Sequence, residues 1–155
     1  MTSEIQIKLD ELGIDLNKPA MPAGNYVPVL VIKDMVYVSG QLPLVNGAIQ
    51  LTGQVGVSVT IEEAKEQAKQ CAIAILRQVA SVSDNLENVE RVVRLGGFVV
   101  STSDFTEQPK VIDSASEIMV KIFGDSGKHT RFAVGVSALP LGAVVEIDAI
   151  FQLKN

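Results

Sequence analysis

Four predicted strand segments carry apolar side chains at consecutive positions, so each would show apolar surface on both faces of a sheet. They are Val27–Ile32, Met35–Val38, Val99–Val100 and Ala133–Ala138. Long helical periodicity occurs in only two places, and two helices can cover only one face of five or six strands. The other face therefore needs a different cover, and we expect a second copy of the chain to supply it.

The two long helices are separated by strands. Thr60 and Glu63 form a capping box that opens the first helix, and apolar residues recur at helical spacing as far as Val82. Pro109 suits the first turn of the second helix, which is predicted to reach about Phe123. The order predicts an α/β (α+β) domain, in which a mixed sheet carries two long helices on one face. The predicted strands are Val27–Ile32, Met35–Ser39, Ala48–Leu51, Val89–Val100, Arg131–Ala138 and Ala143–Leu153.

The first 24 residues precede this pattern. A short amphipathic helix is predicted over residues 4–12, with Ser3 as its N-cap and Gly13 as its stop, followed by a Pro-rich connector over 17–24. Residues 25–155 are then expected to form one domain. The chain starts without a signal-peptide pattern and its apolar runs are only strand-length, so we expect a cytoplasmic protein without a membrane span.

Charge and composition exclude several classes of function. The net charge is −5 and no cluster of Lys and Arg occurs, which disfavours nucleic-acid binding. Cys71 is the sole cysteine and lies within the apolar stripe of the first long helix, so it is interpreted as a core residue. His129 is the sole histidine, and neither a metal site nor a cofactor is expected.

Two acidic residues interrupt the apolar last strand. Glu146 and Asp148 are two residues apart and therefore point to one face of the sheet. If residues 139–142 form a tight hairpin, Gly135 opposes Glu146, and Arg131 lies on that same face about 13 Å further along the strand. At this position the guanidinium of Arg131 is well suited to bind the carboxylate of a ligand. The alternative is that Arg131 forms an ion pair at an interface between subunits.

The end of the chain resembles a known family. Residues 131–150, RFAVGVSALPLGAVVEIDAI, resemble the C-terminal signature of the RidA/YjgF family (endoribonuclease L-PSP-like), with an arginine before an apolar strand, a Leu-Pro turn and a glutamate fifteen residues after the arginine. Residues 36–43, VYVSGQLP, are similar to its second signature. The likeness covers about residues 25–153. It implies a chorismate-mutase-like fold and a homotrimer with three pockets between subunits.

The resemblance also implies an activity, the hydrolytic deamination of reactive enamines and imines. The substrates would be 2-aminoacrylate and related 2-imino acids, which carry a carboxylate, and the products 2-keto acids and ammonia, without a cofactor or a metal. Arg131 would bind the substrate carboxylate, and Glu146 would hold or polarise the attacking water. The rest of the pocket would come from Ser39, Gly40 and the carbonyl of Ala133, with Tyr26 and Phe105 from the adjacent chain.

The sequence departs from the family pattern at some positions. Asp113 stands where an Asn is expected, with Ser114 as the alternative alignment, and its charge would oppose a carboxylate unless it is protonated, paired or turned away. His129, near Arg131, is either an exposed loop residue or a catalytic base. The N-terminal extension fits a longer branch of the family. Two other functions stay open, a non-catalytic carboxylate-binding or regulatory trimer and an endoribonuclease or translation inhibitor.

Overall fold

The computed structural model describes residues 1–17, 19–22 and 24–155. Two residues of the predicted connector, Lys18 and Ala23, lie outside the described residues. The predicted helices and all six predicted strands are present, with shifts of a few residues at their ends, and Leu44–Val45 is an additional short strand. The elements are α1 (Glu4–Leu12), β1 (Val29–Ile32), β2 (Met35–Gln41), β3 (Leu44–Val45), β4 (Ala48–Ile49), α2 (Ile61–Ala80), β5 (Val89–Val100), α3 (Gln108–Phe123), β6 (Thr130–Val136) and β7 (Val145–Leu153).

The predicted helix ends are confirmed by their capping contacts. Ser3 accepts a hydrogen bond from the backbone of Gln6, and Gly13 ends α1 at a φ of 68°. At the start of α2 the Thr60 side chain accepts from the backbone N–H of Glu63, whose side chain accepts from that of Thr60 in return. These contacts satisfy backbone groups that have no partner within a helix, so local sequence is sufficient to define where α1 and α2 begin.

The main sheet has the strand order β1-β2-β7-β5-β6. The pair β5–β6 is parallel and the other three pairs are antiparallel. The predicted β6–β7 hairpin is therefore wrong, because β5 lies between these two strands. The cause is α3, which connects β5 to β6 as a crossover helix, and a strand-helix-strand unit favours parallel pairing of its two strands.

Both long helices pack on one face of the sheet, as predicted, and α1 packs on α3. The core between them contains Val36, Leu95 and Phe151, all fully buried, together with Leu9 of α1. The opposite face of the sheet stays open. It exposes a set of large apolar side chains, Leu30, Ile32, Tyr37 and Val134.

None of the helices within the described residues is long and apolar enough to cross a membrane.

Two adjacent glycines of β5 allow close packing on both faces of the sheet. A Cβ at Gly97 would lie 2.6 Å from Cγ1 of Ile112 in α3. A Cβ at Gly96 would lie 2.7 Å from the ring of Phe132 on the open face. Side chains from both sides thus lie where a Cβ would be, and the contact at Gly97 sets the distance between α3 and the sheet.

We expect Gly97→Ala to lower the free energy of unfolding by about 1–3 kcal/mol, because the added methyl group displaces Ile112. Ile112→Ala alone should cost about 2–5 kcal/mol through its cavity. The double variant should cost clearly less than the sum, since the methyl group then enters the space left by Ile112. Urea denaturation checks this cycle. Ile118→Ala, further along α3, is the control, and its change in unfolding free energy should add to that of Gly97→Ala. If the changes for Gly97→Ala and Ile112→Ala were also additive, the packing argument would be refuted.

Candidate active site

Arg131 lies on the helix-covered side of the sheet, against the first turns of α3. Its Nη1 donates to Oδ1 of Asp113 at 2.9 Å and to Oγ of Ser116 at 3.1 Å. Its Nη2 makes a longer contact of 3.4 Å with the carbonyl oxygen of Pro109. Asp113 is therefore paired, which decides among the three possibilities that the sequence left open. The guanidinium is held rigidly by α3, and its charge is balanced within the chain.

His129 supports Arg131 through Ser116. The Nδ1 atom of His129 lies 2.6 Å from the carbonyl oxygen of Gly127, which can only accept, so Nδ1 carries the proton. In the neutral ring Nε2 then accepts from the Ser116 hydroxyl at 2.9 Å, and the Ser116 oxygen faces Arg131. Burial is the largest cause that lowers the pKa of His129; the Gly127 hydrogen bond opposes it, and the charge of Arg131 lowers the pKa further.

Neither sequence interpretation of His129 describes this arrangement fully, because the ring is half-buried and serves as a hydrogen-bond acceptor. Ser116 was not singled out from the sequence. It lies three residues after Asp113, a spacing that places both side chains on one face of a helix. That spacing is the signal by which Ser116 could have been found.

Glu146 lies on the open face of the sheet, beside β2. A Cβ at Gly40 would lie 2.7 Å from Oε2 of Glu146, so a glycine is needed where this carboxylate crosses β2. Burial raises the pKa of Glu146, and the negative charge of Asp148 raises it further. Asp148 itself accepts hydrogen bonds at 3.1 and 3.3 Å from Arg94, whose guanidinium lies over the ring of Phe132. Glu146 is thus a half-buried carboxyl group that holds its proton more strongly than usual.

Arg131 and Glu146 point to opposite faces of the sheet, which corrects the predicted shared face. In the parallel β5–β6 register Arg131 pairs with Leu95, a core residue. Glu146 pairs with Phe98, which pairs in turn with Val134. Val134 is three residues from Arg131, and an odd separation along a strand means opposite faces. The prediction failed because it assumed direct pairing of β6 with β7.

The other predicted pocket residues lie in several places. Ala133 pairs with Gly97 and shares the face of Arg131. Ser39 donates its hydroxyl to the carbonyl of Val27 at 2.8 Å, next to Gly40, and Tyr26 is half-exposed. Phe105 lines a cavity of about 590 Å³ near the start of α3. Within one chain the structure therefore brings Gly40 to Glu146 and Asp113 to Arg131, as two separate groups.

Cys71 is buried in the core, as predicted, with its Sγ 3.5 Å from the carbonyl oxygen of Val145. Burial raises the pKa of this thiol well above its usual value, and the nearby charge of Glu146 raises it further. The thiol therefore stays protonated at neutral pH and is not a nucleophile. Among the described residues, no group of three His, Cys, Asp or Glu side chains is placed to hold a metal ion.

The mixed sheet, with two long helices on one face and a strand-helix-strand crossover, makes the chain an α+β protein. Comparison with models of known protein families then identifies the family. The family model described as "YjgF/chorismate mutase-like, putative endoribonuclease" matches residues 6–153, and the chain belongs to this family. The resemblance drawn from the two sequence motifs is confirmed.

Individual relatives match along nearly the whole chain. Protein TCP17 of Trypanosoma cruzi is 41% identical over 155 residues, which cover 99% of this chain and 97% of that protein. The crystal structure of Atu1372 from Agrobacterium tumefaciens, a protein of unknown function, is 42% identical, has a TM-score of 0.88 and covers 97% of this chain and 94% of its own. A "putative endoribonuclease" from Shewanella oneidensis MR-1 is 26% identical, with a TM-score of 0.91, covering 96% of this chain and 99% of its own.

The raised pKa of Glu146 predicts how stability depends on pH. The native state binds this proton more tightly than the unfolded chain, so the contribution is complete below the ordinary glutamate pKa and is lost as the pH rises. Glu146→Gln imitates the protonated form. At pH 7 it should raise the free energy of unfolding by up to about 1 kcal/mol, allowing for solvent screening.

Urea denaturation at pH 7 and pH 4 measures this effect, and the gain should disappear at the lower pH. Glu117→Gln, on the exposed side of α3, is the control and should give a similar difference at both pH values. A gain for Glu146→Gln that is equally large at pH 4 would contradict the assignment.

Proposed function

We propose that the protein hydrolyses 2-imino acids and their enamine tautomers, such as 2-aminoacrylate, to 2-keto acids and ammonia in the cytoplasm. The observation that carries this proposal is the guanidinium of Arg131. It is fixed by α3 through Nη1, whereas Nη2 makes only a long contact with Pro109. The Nη2 and Nε edge can therefore receive a substrate carboxylate as a two-pronged ligand.

Hydrolysis of an imine requires little beyond this orientation. An enamine first gains a proton at its methylene carbon and loses one from its nitrogen, which gives the imine. Water adds through its oxygen to the imine carbon, the carbon–nitrogen bond then breaks, and the protons of the water pass to the departing nitrogen. The imine carbon is already electrophilic, so positioning and one group that moves a proton are sufficient. Glu146 suits this task because its raised pKa brings proton uptake and release closer to neutral pH.

The two groups meet at one ligand only if they come from different copies of the chain. Arg131 and Glu146 point to opposite faces of one sheet. The open face carries Glu146 among exposed apolar side chains, including Tyr37 and Val134. We therefore propose a homotrimer in which the Arg131 edge of one subunit approaches the Glu146 face of the next, with Tyr26 and Phe105 closing the pocket.

Keto-acid release from 2-aminoacrylate, generated in the assay, tests the reaction. Arg131→Ala and Glu146→Gln should each lose at least about tenfold in kcat/KM while remaining folded, because each removes a group that acts on the substrate. Glu11→Gln, at an exposed position of α1, should keep full activity. A folded wild-type protein that accelerates none of several imino acids would refute the proposed reaction.

Mixed trimers test the shared site. Arg131→Ala and Glu146→Gln protein, denatured together and refolded, should regain activity, since some interfaces then contain both intact groups. Refolding each variant alone is the control and should give no recovery. Recovery from neither procedure, with trimers present, would place both groups in sites of a single chain and contradict the arrangement.

Assembly itself has a matched pair of variants. Val134 of the open face and Val120 of α3 are exposed to 42% and 39%. If the open face is buried between copies, Val134→Asp should dissociate the oligomer in analytical ultracentrifugation, because an unpaired carboxylate is costly to bury. Val120→Asp should leave it intact. A trimer that tolerates both changes would exclude this face as the interface.

Two alternative functions can be tested with the same protein variants. The pairing of Arg131 with Asp113 is the observation behind a binding protein without turnover, since a guanidinium that already has a counter-charge stabilises less of the negative charge that develops during a reaction. Such a protein would show ligand-induced thermal stabilisation that depends on Arg131 but not on Glu146. The family description also includes endoribonuclease activity. The net charge of −5 argues against it, and salt-dependent RNA binding would be its sign.

A further inference from the structure

We infer that Asp113 makes the Arg131 site selective for zwitterions, that is, for carboxylates which carry a positively charged nitrogen on the adjacent carbon. The inference rests on the proposed function, because it specifies the ligand class of the same site. It starts from the ion pair that the chain makes where a ligand carboxylate would bind.

The ion pair leaves part of each partner available. Of the Asp113 carboxylate, Oδ1 is bound to Arg131, and among the described residues no hydrogen bond to Oδ2 is found. Of the guanidinium, Nη1 is used by Asp113 and Ser116, and Nη2 makes only the long contact of 3.4 Å with the carbonyl oxygen of Pro109, which leaves Nε and part of Nη2. One ion pair thus offers a ligand both N–H donors and a carboxylate oxygen.

Exposure favours contact with both groups. The Asp113 side chain is 51% exposed, whereas that of Arg131 is 20% exposed. A ligand that approaches the guanidinium thus passes close to a more exposed negative charge. A simple carboxylate is repelled by Asp113 and attracted by Arg131, so its electrostatic gain is small.

A zwitterion satisfies both charges. Its carboxylate can bind the Nη2 and Nε edge while its N–H groups donate to Oδ2 of Asp113, and these are charge-assisted hydrogen bonds. A 2-imino acid with a protonated nitrogen has this arrangement, as does an α-amino acid. The keto-acid product has lost the nitrogen and its charge, so the same pair would favour product release.

The neighbouring groups keep the pair in place. Ser116 accepts from Nη1 because its own proton is directed at His129, so the hydroxyl adds a second bond that holds the guanidinium on α3. Glu117 and Lys121 line a depression of about 410 Å³ together with Asp113 and Ser116, and their charges are opposite. Among the residues that the structure describes, Asp113 is the one whose carboxylate contacts the guanidinium, so we expect it to decide the preference.

Alanine and propanoate form a matched ligand pair, since they differ only in the ammonium group. Isothermal titration calorimetry at pH 7 should show that wild-type protein binds alanine about tenfold more tightly than propanoate, as expected for one charge-assisted hydrogen bond. Asp113→Asn keeps an acceptor for Arg131 but removes the negative charge, and it should bind propanoate at least as tightly as alanine. Arg131→Ala should bind neither.

Glu11→Gln removes an exposed charge from α1, outside the depression beside Asp113, and should retain the wild-type preference. The inference is overturned if wild type prefers propanoate, if Asp113→Asn leaves the preference unchanged, or if wild type binds neither ligand. Because calorimetry needs no turnover, the outcomes separate from the proposed reaction. An Asp113-dependent preference without keto-acid release refutes only the hydrolysis, whereas hydrolysis with an unchanged KM in Asp113→Asn refutes only the zwitterion site.

Discussion

The pairing of β5 along both of its edges determines the rest of the molecule. One edge pairs in parallel with β6 and the other antiparallel with β7. The parallel pair requires a crossover, and α3 supplies it, which places this helix over the sheet and against the start of β6. Gly97 lets α3 approach closely enough for Asp113 and Ser116 to reach Arg131. The same register turns Glu146 to the other face of the sheet.

Features specified by neighbouring residues could be predicted from the sequence. The caps of α1 and α2 are short-range hydrogen bonds, and the helix-covered and open faces follow from counting apolar strands against helices. The order of strands depends on contacts between distant residues. Two apolar segments joined by a short Leu-Pro turn resemble a hairpin locally, but the helix between β5 and β6 makes parallel pairing of those strands the more favourable arrangement.

The candidate site also combines features that the sequence predicts with features that depend on contacts between distant residues. Arg131, Glu146 and Asp113 were found through motif resemblance and residue chemistry, and Asp113 was recognised as a problem for a carboxylate ligand. That it pairs with Arg131 depends on how α3 lies over β6, which periodicity does not specify. The role of His129 likewise depends on Ser116, thirteen residues away, and on the carbonyl of Gly127. Hydrogen-bond chains of this kind are properties of packing rather than of sequence spacing.

Charge balance differs between the two groups of the site, and this difference favours assembly. Arg131 has its counter-charge within the chain, so its edge of the sheet is electrostatically complete. Glu146 is half-buried and lies near Asp148, with a raised pKa and no cation of its own among the described residues. Covering the open face with apolar surface alone would desolvate this carboxyl further and favour its neutral form. A ligand nitrogen that exchanges a proton with Glu146 would give this carboxyl group a hydrogen-bond partner in either form. The proton-transfer role proposed for Glu146 therefore depends on an assembly that leaves room for a ligand on the open face.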